Sequence, residues 1–92
     1  MIGKLLAFIR NDRCYWCAQP MQIDTKEAPD FCTIEHLIPR RGSLHEAYIV
    51  LAHRWCNNNR DGMPFRVWVD LLTEARGMQR FPWEIRAKDK LA

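Results

Sequence analysis

Val50-Leu51-Ala52-His53-Arg54-Trp55-Cys56-Asn57-Asn58-Asn59-Arg60 changes character halfway along. Its apolar first half predicts a short buried strand over 47–52. Its polar second half predicts a helical segment over 54–60, closed by Asp61-Gly62. His53 and Cys56 lie at the junction with the spacing His-x-x-Cys. Well upstream, Cys14-Tyr15-Trp16-Cys17 offers a second closely spaced pair. Together the half-sites make a Cys3His donor set for one tetrahedral zinc ion. A lone Cys-x-x-Cys is also compatible with a redox pair; two half-sites in one short chain favour metal. Cys32 is the rival fourth ligand, but it sits between Phe31 and Thr33 with no paired ligand nearby and reads as core.

Working outward, residues 31–38 are apolar and β-branched enough for a strand, which Pro39 ends. A basic, glycine-containing loop follows over 40–43. Residues 19–30 are polar, contain two prolines and predict an irregular loop with room for a short hairpin. Over 2–10, Ile2, Leu5, Leu6 and Ile9 fall on one helical face. Pro64 suits the first turn of another helix over about 64–77, in which Phe65, Trp68, Leu71, Leu72 and Ala75 form an apolar stripe and Gly77 is the expected stop. Residues 78–92 are less readable; Pro82-Trp83 is a candidate docking point, with fraying expected at the end. The expected order is helix, knuckle, strand, loop, strand, helix, helix, without internal repeats.

The chain has 92 residues, with 48% hydrophobic residues and four tryptophans. That size suits one domain over 1–92 and argues against disorder, but so small a core folds close to the limit of unaided stability. A metal staple would supply the deficit. No stretch approaches the roughly 20 apolar residues of a membrane span. The first 13 residues lack a small-residue cleavage site, so a cytoplasmic, reducing compartment is the expectation, which favours metal over disulfides. Lys and Arg total 14 against 11 acids, and ten of the 14 are Arg. That balance is compatible with nucleic acid without demanding it.

Thr33-Ile34-Glu35-His36-Leu37-Ile38-Pro39 adds an acid-histidine pair between the two half-sites. A histidine beside a glutamate is usually a plain surface residue, and an asparagine near a helix start is usually a cap. In this frame, however, the series Cys-x-x-Cys, Glu35-His36-x-x-Pro39, a Gly-containing loop and His53-x-x-Cys56-Asn57-x-x-Arg60 resembles the HNH nuclease family. The resemblance runs from about residue 10 to 62. It implies an α+β fold with a ββα-metal core, a structural zinc site at Cys14, Cys17, His53 and Cys56, and flanking helices. It also implies a metal-dependent endonuclease that hydrolyses DNA phosphodiesters to 5′-phosphate and 3′-hydroxyl ends. His36 matches the general base, a task suited to imidazole. Glu35 and Asn57 match the hard ligands of a catalytic Mg²⁺ or Mn²⁺ ion. Asp61, one turn beyond Asn57, is a further candidate ligand, with a solvated helix end as its plainer reading. Strand alternation points Glu35 and His36 to opposite faces, so both line one site only if the strand bends or ends there.

One position departs from the family pattern. Tyr48 stands where the family's middle asparagine braces the loop, which puts catalytic efficiency in doubt rather than the fold. His45 reads as a surface residue with phosphate contact as the alternative. Arg40, Arg41, Arg54 and Arg60 are the candidate DNA contacts, with Arg66 beyond them, and ordinary solvated charge is the equal alternative for each. Trp16 and Trp55, each between two zinc ligands, read as shields of the knuckle. The expected partner is DNA, acted on by a monomer or weak dimer of phage or mobile-element type, with a packaging or other protein as a second partner. The rival functions are a non-catalytic zinc module that binds nucleic acid or protein, and a phage protein that inhibits a host enzyme.

Overall fold

The computed structural model describes the backbone of residues 2–36 and 49–91. These form a small α+β unit of one two-stranded sheet and four helices: α1 (Ile2–Arg10), β1 (Cys32–His36), β2 (Ile49–His53), α2 (Arg54–Asn59), α3 (Phe65–Met78) and α4 (Pro82–Leu91). A 3₁₀ turn over Arg60–Gly62 continues α2. β1 and β2 are antiparallel, pairing Cys32 with His53, Glu35 with Val50 and His36 with Ile49. The connection over 37–48 lies outside the described residues and contains Arg40, Arg41, His45 and Tyr48.

The knuckle is closed by its own backbone. Cys14 N–H donates to the Gln19 carbonyl and Ala18 N–H donates to the Cys14 carbonyl, both at 2.9 Å. An antiparallel bridge between Arg13 and Pro20 extends this turn. Ala18 has φ 64°, a left-handed conformation that suits glycine better than alanine. Tyr15 N–H donates to the Leu51 carbonyl at 2.9 Å and ties the knuckle to β2.

Several expectations need correction. Among the described residues β2 spans Ile49–His53 and runs one residue past its expected end at 52, so His53 is its last residue and also the N-cap of α2. Asn57 therefore lies inside α2 rather than at its head. α3 does not stop at Gly77; it runs through Met78 and is capped by Gln79 at φ 54°. Phe65 leaves the expected stripe and is 81% exposed, whereas Trp68, Leu71 and Ala75 are buried. Residues 82–91, unread from the sequence, form α4, which buries Pro82 and Ile85 against the core. On α1, Leu5, Leu6 and Ile9 are exposed, and Phe8 is the residue that packs against the core.

The centre of the molecule is unusual in composition. The largest fully buried side chains are His53, Pro82, Cys17, Cys32 and Cys56. The cysteines share one buried cluster with Met21, Ala52, Trp68, Leu71, Ala75 and Ile85. Three of the five largest belong to the Cys3His set, so much of the core is the candidate metal centre itself.

A candidate metal centre and the residues around it

Cys14, Cys17, His53 and Cys56 each bring one donor atom into a group whose members all lie within 4.8 Å of one another, and all four side chains are buried. Cys17 Sγ is 3.2 Å from His53 Nδ1, Cys56 Sγ is 3.8 Å from the same nitrogen, and the Cys17 and Cys56 sulfurs are 4.0 Å apart. Zinc–sulfur bonds of about 2.3 Å in a tetrahedron place sulfurs about 3.8 Å apart, so the group can hold a metal such as zinc with small adjustments. On the far side of the ring, His53 Nε2 lies 2.7 Å from the Pro20 carbonyl oxygen. With Nε2–H donating there, Nδ1 keeps its lone pair for the ion. Cys32 is fully buried but stands outside this group, in agreement with its reading as core.

Electrostatics favour a cation at this point. Hydrogen bonds, first from Cys17 and then from Cys56, hold the Cys14 thiol far below its ordinary value despite burial. The same contact works in reverse on Cys56, whose thiol is pushed up by Cys14 and Cys17. Burial opposes charge on His53, but hydrogen bonds with Cys14, Cys17 and the Pro20 carbonyl carry it up to about 10. These shifts favour charge on Cys14 and on His53. A divalent cation would release protons from the donors and bind to them through four ligand bonds.

Helices and aromatic rings enclose the centre. Phe81 and Trp83 stack on each other at 4.5 Å, and both meet the His53 ring edge-on. Trp68 stacks near Trp55 and meets Trp16 edge-on. Arg76 on α3 donates through Nε to the Trp16 carbonyl and through Nη2 to the Tyr15 carbonyl, each at 2.9 Å. Gln19 is buried and donates to both the Cys17 and Ala75 carbonyls. Arg76 and Gln19 went unnoticed in the sequence because they act across some sixty residues and belong to no spacing pattern. Trp16 and Trp55 are partly buried and pack against the cluster that contains the four donors.

The acid-histidine pair lies beside this centre. Glu35 is only 2% exposed, whereas His36 is exposed, so the two point to opposite faces as strand alternation requires. Trp16 Nε1 donates to Glu35 Oε2 at 2.5 Å, and Arg60 Nε lies 2.8 Å from Glu35 Oε1. The Arg60 guanidinium also lies over the Trp16 ring. Burial pushes the Glu35 carboxyl up, while the Trp16 hydrogen bond and the Arg60 charge pull it back in part. Asn57 is half-buried, and its side-chain amide donates to Thr33 Oγ1 and the Ile34 carbonyl, both at 3.2 Å. α2 thus sets Asn57 against β1 at Thr33 and Ile34, and the 3₁₀ turn after it sets Arg60 against Glu35.

The arginines expected at phosphate are dispersed. Arg54 is exposed and reaches the Glu27 carbonyl at 3.4 Å. Arg60 faces Glu35, and Arg66 is exposed. The Asp61 side chain is 88% exposed and lies 3.9 Å from Arg60. No helix among the described residues is long and apolar enough to cross a membrane.

No family model matches the chain, and searches of curated proteins and of solved structures give no match either.

Proposed function

We propose that this chain is a metal-dependent nuclease of the HNH type, in which the Cys3His centre is structural zinc and the chemistry belongs to Glu35, His36 and Asn57. One observation carries the reading. Two of the four zinc-site residues, His53 and Cys56, flank the start of α2, and that helix and the turn after it lay Asn57 and Arg60 on the strand that bears Glu35 and His36. A zinc ion at the centre would fix the helix, and the helix fixes the polar residues. The antiparallel pair followed by α2 also has the order of the ββα core that the motifs imply.

Carboxylate and amide oxygens are hard donors, suited to Mg²⁺ or Mn²⁺. Glu35 already balances a cation, the Arg60 guanidinium, at 2.8 Å. Glu35 and Asn57 are the residues that would hold such an ion. When bound, such an ion supplies charge neutralisation at the scissile phosphate and the leaving 3′ oxygen. His36 is exposed and is the last residue of β1; from that end it would accept a proton from a water molecule, whose oxygen attacks phosphorus. The P–O3′ bond then breaks, the departing O3′ takes a proton from solvent, and a 5′-phosphate and a 3′-hydroxyl remain. Arg54 and Arg66, both exposed, would meet phosphates.

A second reading has its own support. Glu35 is buried with both oxygens engaged, which is how a purely structural carboxylate behaves. In that case the chain is a non-catalytic zinc module. Manganese binding separates the two. Zinc-loaded protein should take up one Mn²⁺ per chain in an electron paramagnetic resonance titration, and Asn57→Ala should lose it while retaining zinc. A wild-type protein that takes up no manganese, or an Asn57→Ala variant that takes it up unchanged, supports the zinc module instead.

A further inference from the structure

Trp16 does more than cover the knuckle. It lies between Cys14 and Cys17, and its backbone is fixed there. Its carbonyl accepts from Arg76 Nε, and the neighbouring Tyr15 N–H is tied to β2 at the Leu51 carbonyl. From that anchored position the indole Nε1–H donates to Glu35 Oε2. Arg60, whose Nε lies 2.8 Å from Glu35 Oε1, sets its guanidinium over the same indole, 5.3 Å from the ring centroid. Tyr15 and Trp68 meet the ring edge-on. One side chain thus touches both members of the Glu35–Arg60 pair, the acid by its N–H and the base by its face. We infer that Trp16 is the positioning residue for Glu35, passing the geometry of the zinc knuckle to the carboxylate proposed to hold a divalent ion; the inference rests on the nuclease reading and adds a residue to it.

The chemistry of a carboxylate ligand supports this role. A glutamate side chain turns about several bonds and must be ordered before it can meet an ion. A hydrogen bond to one of its oxygens orders it. The donor here belongs to a turn held between two candidate zinc ligands, so the carboxylate is aimed by the knuckle rather than by β1 alone. An N–H donated to a carboxylate also favours the ionised form, which is the form that binds a cation. Partners of this kind behind a metal ligand contribute about 10–100-fold in metal affinity. A plain shield needs only an apolar ring, which phenylalanine would supply, and makes no use of an N–H aimed at Glu35. Trp55 is the natural comparison. It too lies between two candidate zinc ligands and packs against the same buried cluster, but its ring meets Trp68 and Trp83.

The test uses full-length, zinc-loaded protein in two measurements. In a manganese titration followed by electron paramagnetic resonance, Trp16→Phe should weaken Mn²⁺ binding by about 10–100-fold, and Trp55→Phe should leave it within about twofold of wild type. Unchanged zinc content and circular dichroism check the fold of both variants. The second measurement needs no variant. In a ¹⁵N spectrum of the wild-type indole groups, Mg²⁺ at concentrations that displace Mn²⁺ should move the Trp16 Nε1–H resonance and leave that of Trp55 in place. Trp16→Phe that binds Mn²⁺ as wild type does, equal weakening by both variants, or a Trp16 resonance that Mg²⁺ does not move overturns the positioning role and leaves the nuclease reading in place. A wild-type protein that takes up neither Mn²⁺ nor Mg²⁺ overturns both.

Discussion

At the scale of single residues, Glu35 is buried and held through both of its oxygens. A carboxylate taken out of water is destabilised unless its charge and lone pairs are answered, and here Trp16 and Arg60 answer them. Burial still prevails, and the carboxyl is raised above its ordinary value of about 4.3. The sign of the consequence follows. A raised value in the folded state means that the fold prefers the protonated form. The stability this confers is present below the ordinary carboxylate range and is lost as pH rises through the raised value. Glu35→Gln does not titrate there. The stability of wild type relative to Glu35→Gln should therefore fall as pH rises from about 4.3 through the raised value. Urea unfolding of zinc-loaded protein without magnesium or manganese measures it, and a difference that moves in favour of wild type over that range contradicts the assignment. The opposite orientation of Glu35 and His36 was legible in the sequence, because strand periodicity is two and both are in one strand. The partners of Glu35 were not, because Trp16 is nineteen positions away and Arg60 lies beyond the 37–48 connection.

At the scale of elements, the helices divide into those whose ends are written locally and those whose ends are written by packing. α2 begins where the zinc half-site predicts, since His53 must leave the strand for Cys56 to reach the same point. α3 ends elsewhere than its glycine. Gly77 looks like a stop, but α3 continues through it because Leu71 and Ala75 are buried and the turn closes only at Gln79, whose N–H donates to the Ala75 carbonyl. Gly77 is thus an interior helix position, and a Cβ there would meet nothing within 4 Å. Gly77→Ala should stabilise the protein by about 0.5–1 kcal/mol. Thermal unfolding would show this as a higher midpoint; a lower one would mean that the helix does end there. α4 carried no clear signal because its amphipathic face is short. Its burial comes from Pro82 and Ile85 meeting the core, and Trp83 and the preceding Phe81 meeting His53, which only the folded chain brings together.

At the scale of the whole molecule, the candidate metal ligands are part of the buried core, together with aliphatic and aromatic residues. The four candidate zinc residues are drawn from the N-terminal knuckle and the β2–α2 junction, and α3 and α4 pack over them through Arg76, Trp68, Phe81 and Trp83. A structural zinc site contributes about 10–16 kcal/mol to folding. That is as large as the entire stability of a typical domain. Zinc removal by a strong chelator should therefore unfold the protein cooperatively, with one equivalent released per chain, and Cys14→Ser should prevent folding. Retained far-ultraviolet dichroism after zinc loss would show that the helices stand without the ion. The centre was legible because its two half-sites have local spacing. The enclosing rings were not, since aromatic residues at helical spacing read equally well as ordinary core.

The central claim joins both halves: a zinc-held helix places Asn57 beside the strand of Glu35 and His36, and those residues cut nucleic acid. Supercoiled plasmid incubated with zinc-loaded protein and Mg²⁺ or Mn²⁺ tests it directly. Wild type should convert the plasmid to nicked or linear forms, and His36→Ala, with its zinc content unchanged, should not. A plasmid left intact by folded wild-type protein under both metals, or cut equally by His36→Ala, would contradict the account.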